Sequence, residues 1–241
     1  MNKYPKYYLE LDEEAKKCRE MWDVSVDDSI DLFAVVLGKI KDLTIIFLNF
    51  DNDFSGCCHE SENNQKIIFI NKNHSYGRQR FTLAHELYHL LVEKNGDYPN
   101  KSSEKNANIF ASCLLLPHTA LRKYEEKEIK GWNMENIIKA EQYFQISHSA
   151  FLKRLLLLKK INKTEYNTLQ YNVKRKAMEL GYPTKLYDES YENNEVVLGN
   201  YLKLVKKLED YGLISHGKKE EILMDAFYDN LVFDQEEVSI D

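Results

Sequence analysis

Residues 82–89, TLAHELYH, hold two histidines four residues apart, with a glutamate directly after the first. On a helix, residues at this spacing lie one above the other on a single face. His85 and His89 can therefore turn both imidazoles toward one ion. Glu86, rotated by roughly 100°, stands beside them and can reach a water on that ion without ligating it. Peptide hydrolysis needs this division of labour. A divalent metal acidifies water and polarises a carbonyl, and a carboxylate moves the proton to the leaving amine. His-Glu-x-x-His on a helix is a zinc-protease signature for this reason. Leu83, Ala84, Leu87, Leu90 and Leu91 make the helix largely apolar, so its polar residues sit half-buried and need partners.

A catalytic zinc keeps three protein ligands and an open position. The third is expected from the next helix, which begins EKNANIFASCLLLP. Helical spacing puts Glu104, Ala107, Asn108, Ala111 and Leu115 on one face, and the small alanines let this helix lie close to the first. Glu104, at its open end, is then placed to reach the metal. It could equally be a helix-start acid favoured by the dipole, with Ser102 or Ser103 as cap. Asn108, one turn on, is expected to hydrogen-bond a liganding histidine and fix its tautomer.

The elements that must position these residues follow from periodicity and breakers. A charged helix spans about 9–21, and a second covers about 28–38, where Ile30, Phe33, Ala34 and Leu37 recur at helical spacing. LTIIFLNF (43–50) and KIIFIN (66–71) read as strands of a small twisted sheet, with NDFSGCC as a turn. The histidine helix runs from about 78 to 94, a loop rich in Gly, Pro, Asn and Ser covers 95–103, and Pro117 ends the next helix. Beyond it the chain reads as helical, with a polar linker at 184–195 and a last pair at about 198–212 and 217–231. The expected division is a metallopeptidase core over 1–125, a helix-turn-helix-like helical subdomain over 126–183, and a linker with a C-terminal helical pair over 184–241.

Composition limits the classes. A hydrophobic share of 43% in 241 residues supports a real core. No apolar run approaches the roughly 20 residues needed to span a bilayer, and the first residues lack the apolar block of a secretory signal, so a cytoplasmic protein without membrane contact is expected. Cys18, Cys57, Cys58 and Cys113 show no framework spacing and read as reduced thiols. The net charge of −6 disfavours a dedicated nucleic-acid binder. It hides an asymmetry: eight Lys/Arg against one Glu over 151–176, and fourteen Asp/Glu against five Lys from Tyr187 onward.

RQRFTLAHELYHLL followed by EKNANIFASCLLLP resembles the ImmA/IrrE family of zinc metallopeptidases. Ile70 and Asn71, at the end of the preceding strand, are similar to the family pattern, as is AEQYFQISHSAFLKRL. The likeness covers about 30–160, with a weaker one over 197–237. It implies an α+β, zincin-like core with Zn2+ held by His85, His89 and Glu104, and Glu86 as general base. It also implies a protein substrate, a repressor-type transcription factor of bacteria or their mobile elements. The family usually has Gly where this chain has Tyr88, a residue that either narrows the cleft or packs. Substrate is expected as an extended strand beside KIIFIN. An electrophile for the oxyanion is expected among Tyr88, Tyr98, His118 and Arg80. Two other readings compete. One is a DNA-binding regulator that uses the helix-turn-helix-like segment 134–158 and carries a non-catalytic zinc site. The other is a peptidase held silent in a complex through its C-terminal helices.

Overall fold

The computed structural model describes residues 6–51, 53–93, 103–189 and 195–233. Four strands form one mixed sheet: β1 (Leu43–Leu48), β2 (Gly56–Glu60), β3 (Lys66–Asn71) and β4 (Val196–Gly199), in the order β2-β3-β1-β4. β1 and β3 are parallel, with Leu43 opposite Lys66 and Leu48 opposite Asn71. β2 forms an antiparallel hairpin with β3, and β4 runs antiparallel to β1.

Two expectations change here. Gly56, Cys57 and Cys58, taken as the end of a turn, open strand β2. KIIFIN pairs on both sides and offers no free edge, so an incoming strand cannot add to it; among the described residues, the free edge near the histidine helix is β2. β4 was not foreseen. It lies at the start of the expected C-terminal helical pair and brings that end of the chain onto the sheet.

The core lies between the sheet and the helices. α1 (Lys6–Met21) packs on α4 (Ser103–Leu115), and α4 packs on α3 (Tyr76–Leu91), which covers β2 and β3; α2 (Leu32–Lys39) lies against α3 and β1. Ala107 and Ala111 are fully buried, so α3 and α4 approach closely, as their small side chains permit. α5 (His118–Glu128) starts directly after Pro117, which ends one helix and caps the next. α6 (Met134–Phe144) and α7 (His148–Leu157) follow, joined at Gln145 in a left-handed conformation. α8 (Lys163–Leu169) and α9 (Val173–Glu179) complete this part, and α10 (Tyr201–Asp210), α11 (His216–Asp225) and α12 (Asn230–Phe233) follow β4.

Buried cations pin the helices together. The Arg154 guanidinium is inaccessible to solvent and donates to Leu116 O at 2.8 Å, to Cys113 Sγ at 3.0 Å and to Asp12 Oδ1 at 3.3 Å. One side chain thus joins α7, α4 and α1. Removing one partner of such a buried pair typically costs about 3–5 kcal/mol, because the other is left uncompensated.

Candidate metal centre and cleft

α3 forms because Thr82 to Leu91 is rich in good helix formers and its apolar side has somewhere to go. Leu83, Ala84, Leu87 and Leu90 enter the core. Its N-terminus is tied down by side chains just ahead of the histidines. Gln79 Nε2 donates to Lys72 O and His74 O at 3.0 and 2.9 Å, and the Arg80 guanidinium donates to Gln145 O and Ile30 O at 2.7 and 2.5 Å. The opposite face of α3 turns Arg78, Phe81, Thr82, His85, Glu86 and His89 into a cleft of about 1400 Å³. Residues 53–58 wall one side; α4 and α7 wall the other.

Three donors converge in this cleft. His85 Nε2 and His89 Nε2 are 3.3 Å apart, and the Glu104 carboxylate lies 3.2 Å from the first and 3.6 Å from the second. All three donor atoms lie within 4.8 Å of one another. Ligands held at about 2.0–2.1 Å on a tetrahedral zinc stand about 3.3–3.4 Å apart, so the donor spacing fits that ion. The tautomer fits as well. His89 Nδ1 is 2.7 Å from Glu93 Oε2. A carboxylate can only accept, so Nδ1 carries the hydrogen and Nε2 keeps its lone pair for the ion. The hydrogen bonds from His89 and then Ser103 hold the Glu93 carboxyl below its ordinary range.

Glu86 is 7% exposed and lines the same cleft. Across from it runs the free edge of β2, where Cys57 is exposed. Partial burial, and then the charge of Glu86, push the Cys57 thiol up. β2 comes this close to α3 because residue 56 is glycine. A Cβ there would stand 2.6 Å from Thr82 Cγ2 and 2.5 Å from Phe69 O.

His85, Glu86, His89 and Glu104 are brought together in the cleft; of the remaining candidates, Asn108 shares it. Asn108 lines the cleft, but its amide donates to Glu104 O at 2.8 Å, one turn back on its own helix. Glu93, which the sequence reading did not name, takes the histidine-fixing role expected of Asn108. Its spacing, four residues beyond His89, was the available signal. Tyr88 is fully buried, and its ring packs on Phe110 with centroids 5.7 Å apart, so it neither narrows the cleft nor faces an oxyanion. Arg80 is consumed by backbone carbonyls. Asn71 is buried, and its amide donates to the carbonyls of Phe50, Asp51 and Phe54. It shapes the loop leading into β2 rather than touching substrate. His118 lies at the start of α5, away from the cleft lining. Tyr98 lies outside the described residues.

Helix, edge strand and donor set define a zincin-like metallopeptidase-type domain. Residues 40–156 match the family model Peptidase_M78, the IrrE N-terminal-like domain. Among solved structures, a Mycobacterium tuberculosis transcriptional regulator is similar over 67% of this chain and 50% of its own, with 15% identity and a TM-score of 0.47. The chain thus spans half the length of that protein. No protein of curated function matches. Among the described residues, no helix is long and apolar enough to cross a membrane.

Proposed function

We propose that the chain is a zinc-dependent endopeptidase that cleaves a cytoplasmic protein, a repressor-type transcription factor. The observation carrying this reading is the convergence of His85, His89 and Glu104 beside Glu86 in a cleft walled by an open strand edge. Zinc on these donors supplies Lewis acidity for an attacking water and for the scissile carbonyl. The Glu86 carboxylate takes the proton from that water as its oxygen bonds to the carbonyl carbon. It then delivers the proton to the amine as the C–N bond breaks. The substrate backbone pairs with the free edge of β2, which presents it to Glu86 as an extended strand. Near-burial of Glu86 keeps bulk water from competing for the proton.

DNA binding draws less support. Of the ten residues of α7, the helix that would enter a groove, Ser149 and Lys153 are the exposed ones, and both line the cleft. The test is Glu86→Gln, assayed against repressor-type proteins encoded beside the gene. Zinc content should be unchanged and cleavage lost by orders of magnitude. Cleavage equal to the parent's would remove Glu86 from the reaction.

A further inference from the structure

The two walls of the cleft differ in chemistry. On the strand side Asp53 is the charged residue, and at one end Arg78 is engaged, with Glu189 at 3.6 Å and Ser55 Oγ at 3.1 Å. The α4–α7 wall contributes the apolar Ile109, Ala150 and Leu157 together with Lys105 and Lys153, and Phe81 of α3 lines the same cleft. Lys105 rests its ammonium 4.9 Å from the centre of the Tyr7 ring. Neither lysine enters an ion pair among the described residues. Zinc on the three donors would offset the charges of Glu86 and Glu104, which leaves Lys105 and Lys153 as cations of this wall without an ion-pair partner among the described residues. The exposed residues of α7, Ser149 and Lys153, both line the cleft, and Lys153 is the charged one.

We propose that the α4–α7 wall is a specificity subsite reading an apolar residue flanked by an acidic one, in an extended peptide lying across the site. Ile109, Ala150 and Leu157 take the aliphatic or aromatic side chain, and Lys153 and Lys105 pair with the neighbouring carboxylate. This rests on the peptidase reading of the same cleft and names the kind of segment it selects. The charge pairing acts on recognition and rejects basic segments through repulsion.

The test uses zinc-loaded Glu86→Gln protein and two short fluorescein-labelled peptides that share a Leu-Phe centre flanked by Glu in one and Lys in the other. Fluorescence anisotropy should show the Glu peptide binding about tenfold tighter at low salt, a gap that narrows as salt screens the exposed charges. Adding Lys153→Glu should abolish or reverse the preference while zinc content stays unchanged. Equal binding of the two peptides, no binding of either, or a preference that survives Lys153→Glu overturns the proposal. The peptidase reading has a separate readout. A charge preference in binding without Glu86-dependent cleavage defeats that reading alone, and Glu86-dependent cleavage without a charge preference defeats the subsite alone.

Discussion

Removing the carboxylate of Glu93 should weaken zinc binding without touching a ligand. Its Oε2 stands 2.7 Å from His89 Nδ1, and the two side chains are 27% and 19% exposed. Losing the partner that orients a metal-binding histidine typically costs about 10–100-fold in affinity. Partial exposure lets water replace part of the lost bond, so Glu93→Ala is expected near the lower end, about tenfold, equivalent to about 1.4 kcal/mol. Glu93→Gln keeps an accepting oxygen but loses the charge, and should cost less, about threefold. Competition against a chromophoric zinc chelator at fixed pH and salt measures both. The order parent, Gln, Ala is the signature of the hydrogen bond. If Glu93→Ala held zinc as tightly as the parent, the tautomer argument for His89 would be wrong.

Gly56→Ala should displace the edge strand, since the new methyl meets a backbone carbonyl and a buried threonine. Urea denaturation should show a loss of about 1–3 kcal/mol, with zinc retained and cleavage reduced; unchanged stability and cleavage would show that β2 does not need its close approach. His148 provides a pH test at a group outside the His85, His89 and Glu104 donor set. Its Nδ1 is 2.7 Å from Glu141 Oε1 and its Nε2 is 2.8 Å from Leu169 O. Burial pushes the imidazole down, but the hydrogen bond to Glu141, that residue's charge and the Leu169 carbonyl together outweigh it and hold its pKa above the ordinary value. A raised folded pKa contributes stability that is fully present below the unfolded value of about 6.5 and is lost as pH rises through the folded one. Unfolding free energy should therefore fall above that pH in the parent and fall less in His148→Gln. Equal slopes for the two would remove His148 as the source.

The cluster of His85, His89 and Glu104 was legible because its spacing is encoded locally. His85, Glu86 and His89 lie on one helical turn, and Glu104 begins the next helix, whose small alanines hold it close. The strand edge was not, because β2 is made by its partner. GCCHE has a glycine, two cysteines and no alternating apolar pattern, and the ladder to β3 holds it extended. KIIFIN is apolar on both faces, the mark of an interior strand rather than an edge. β4 has four residues and borrows its geometry from β1. Arg80, Asn71 and Tyr88 were misassigned for one shared reason. Type and position along the chain do not reveal whether a polar side chain turns toward a cleft or toward buried backbone carbonyls. Only the tertiary arrangement puts Ile30 and Gln145 within reach of Arg80.

The central claim is that His85, His89 and Glu104 hold one zinc ion. Elemental analysis of protein purified without added metal, for the parent, His85→Ala and Glu104→Ala side by side, tests it directly. The account predicts close to one zinc per chain in the parent and little in either variant. No zinc in the parent, even after incubation with zinc and dialysis, would contradict it, as would full zinc in either variant.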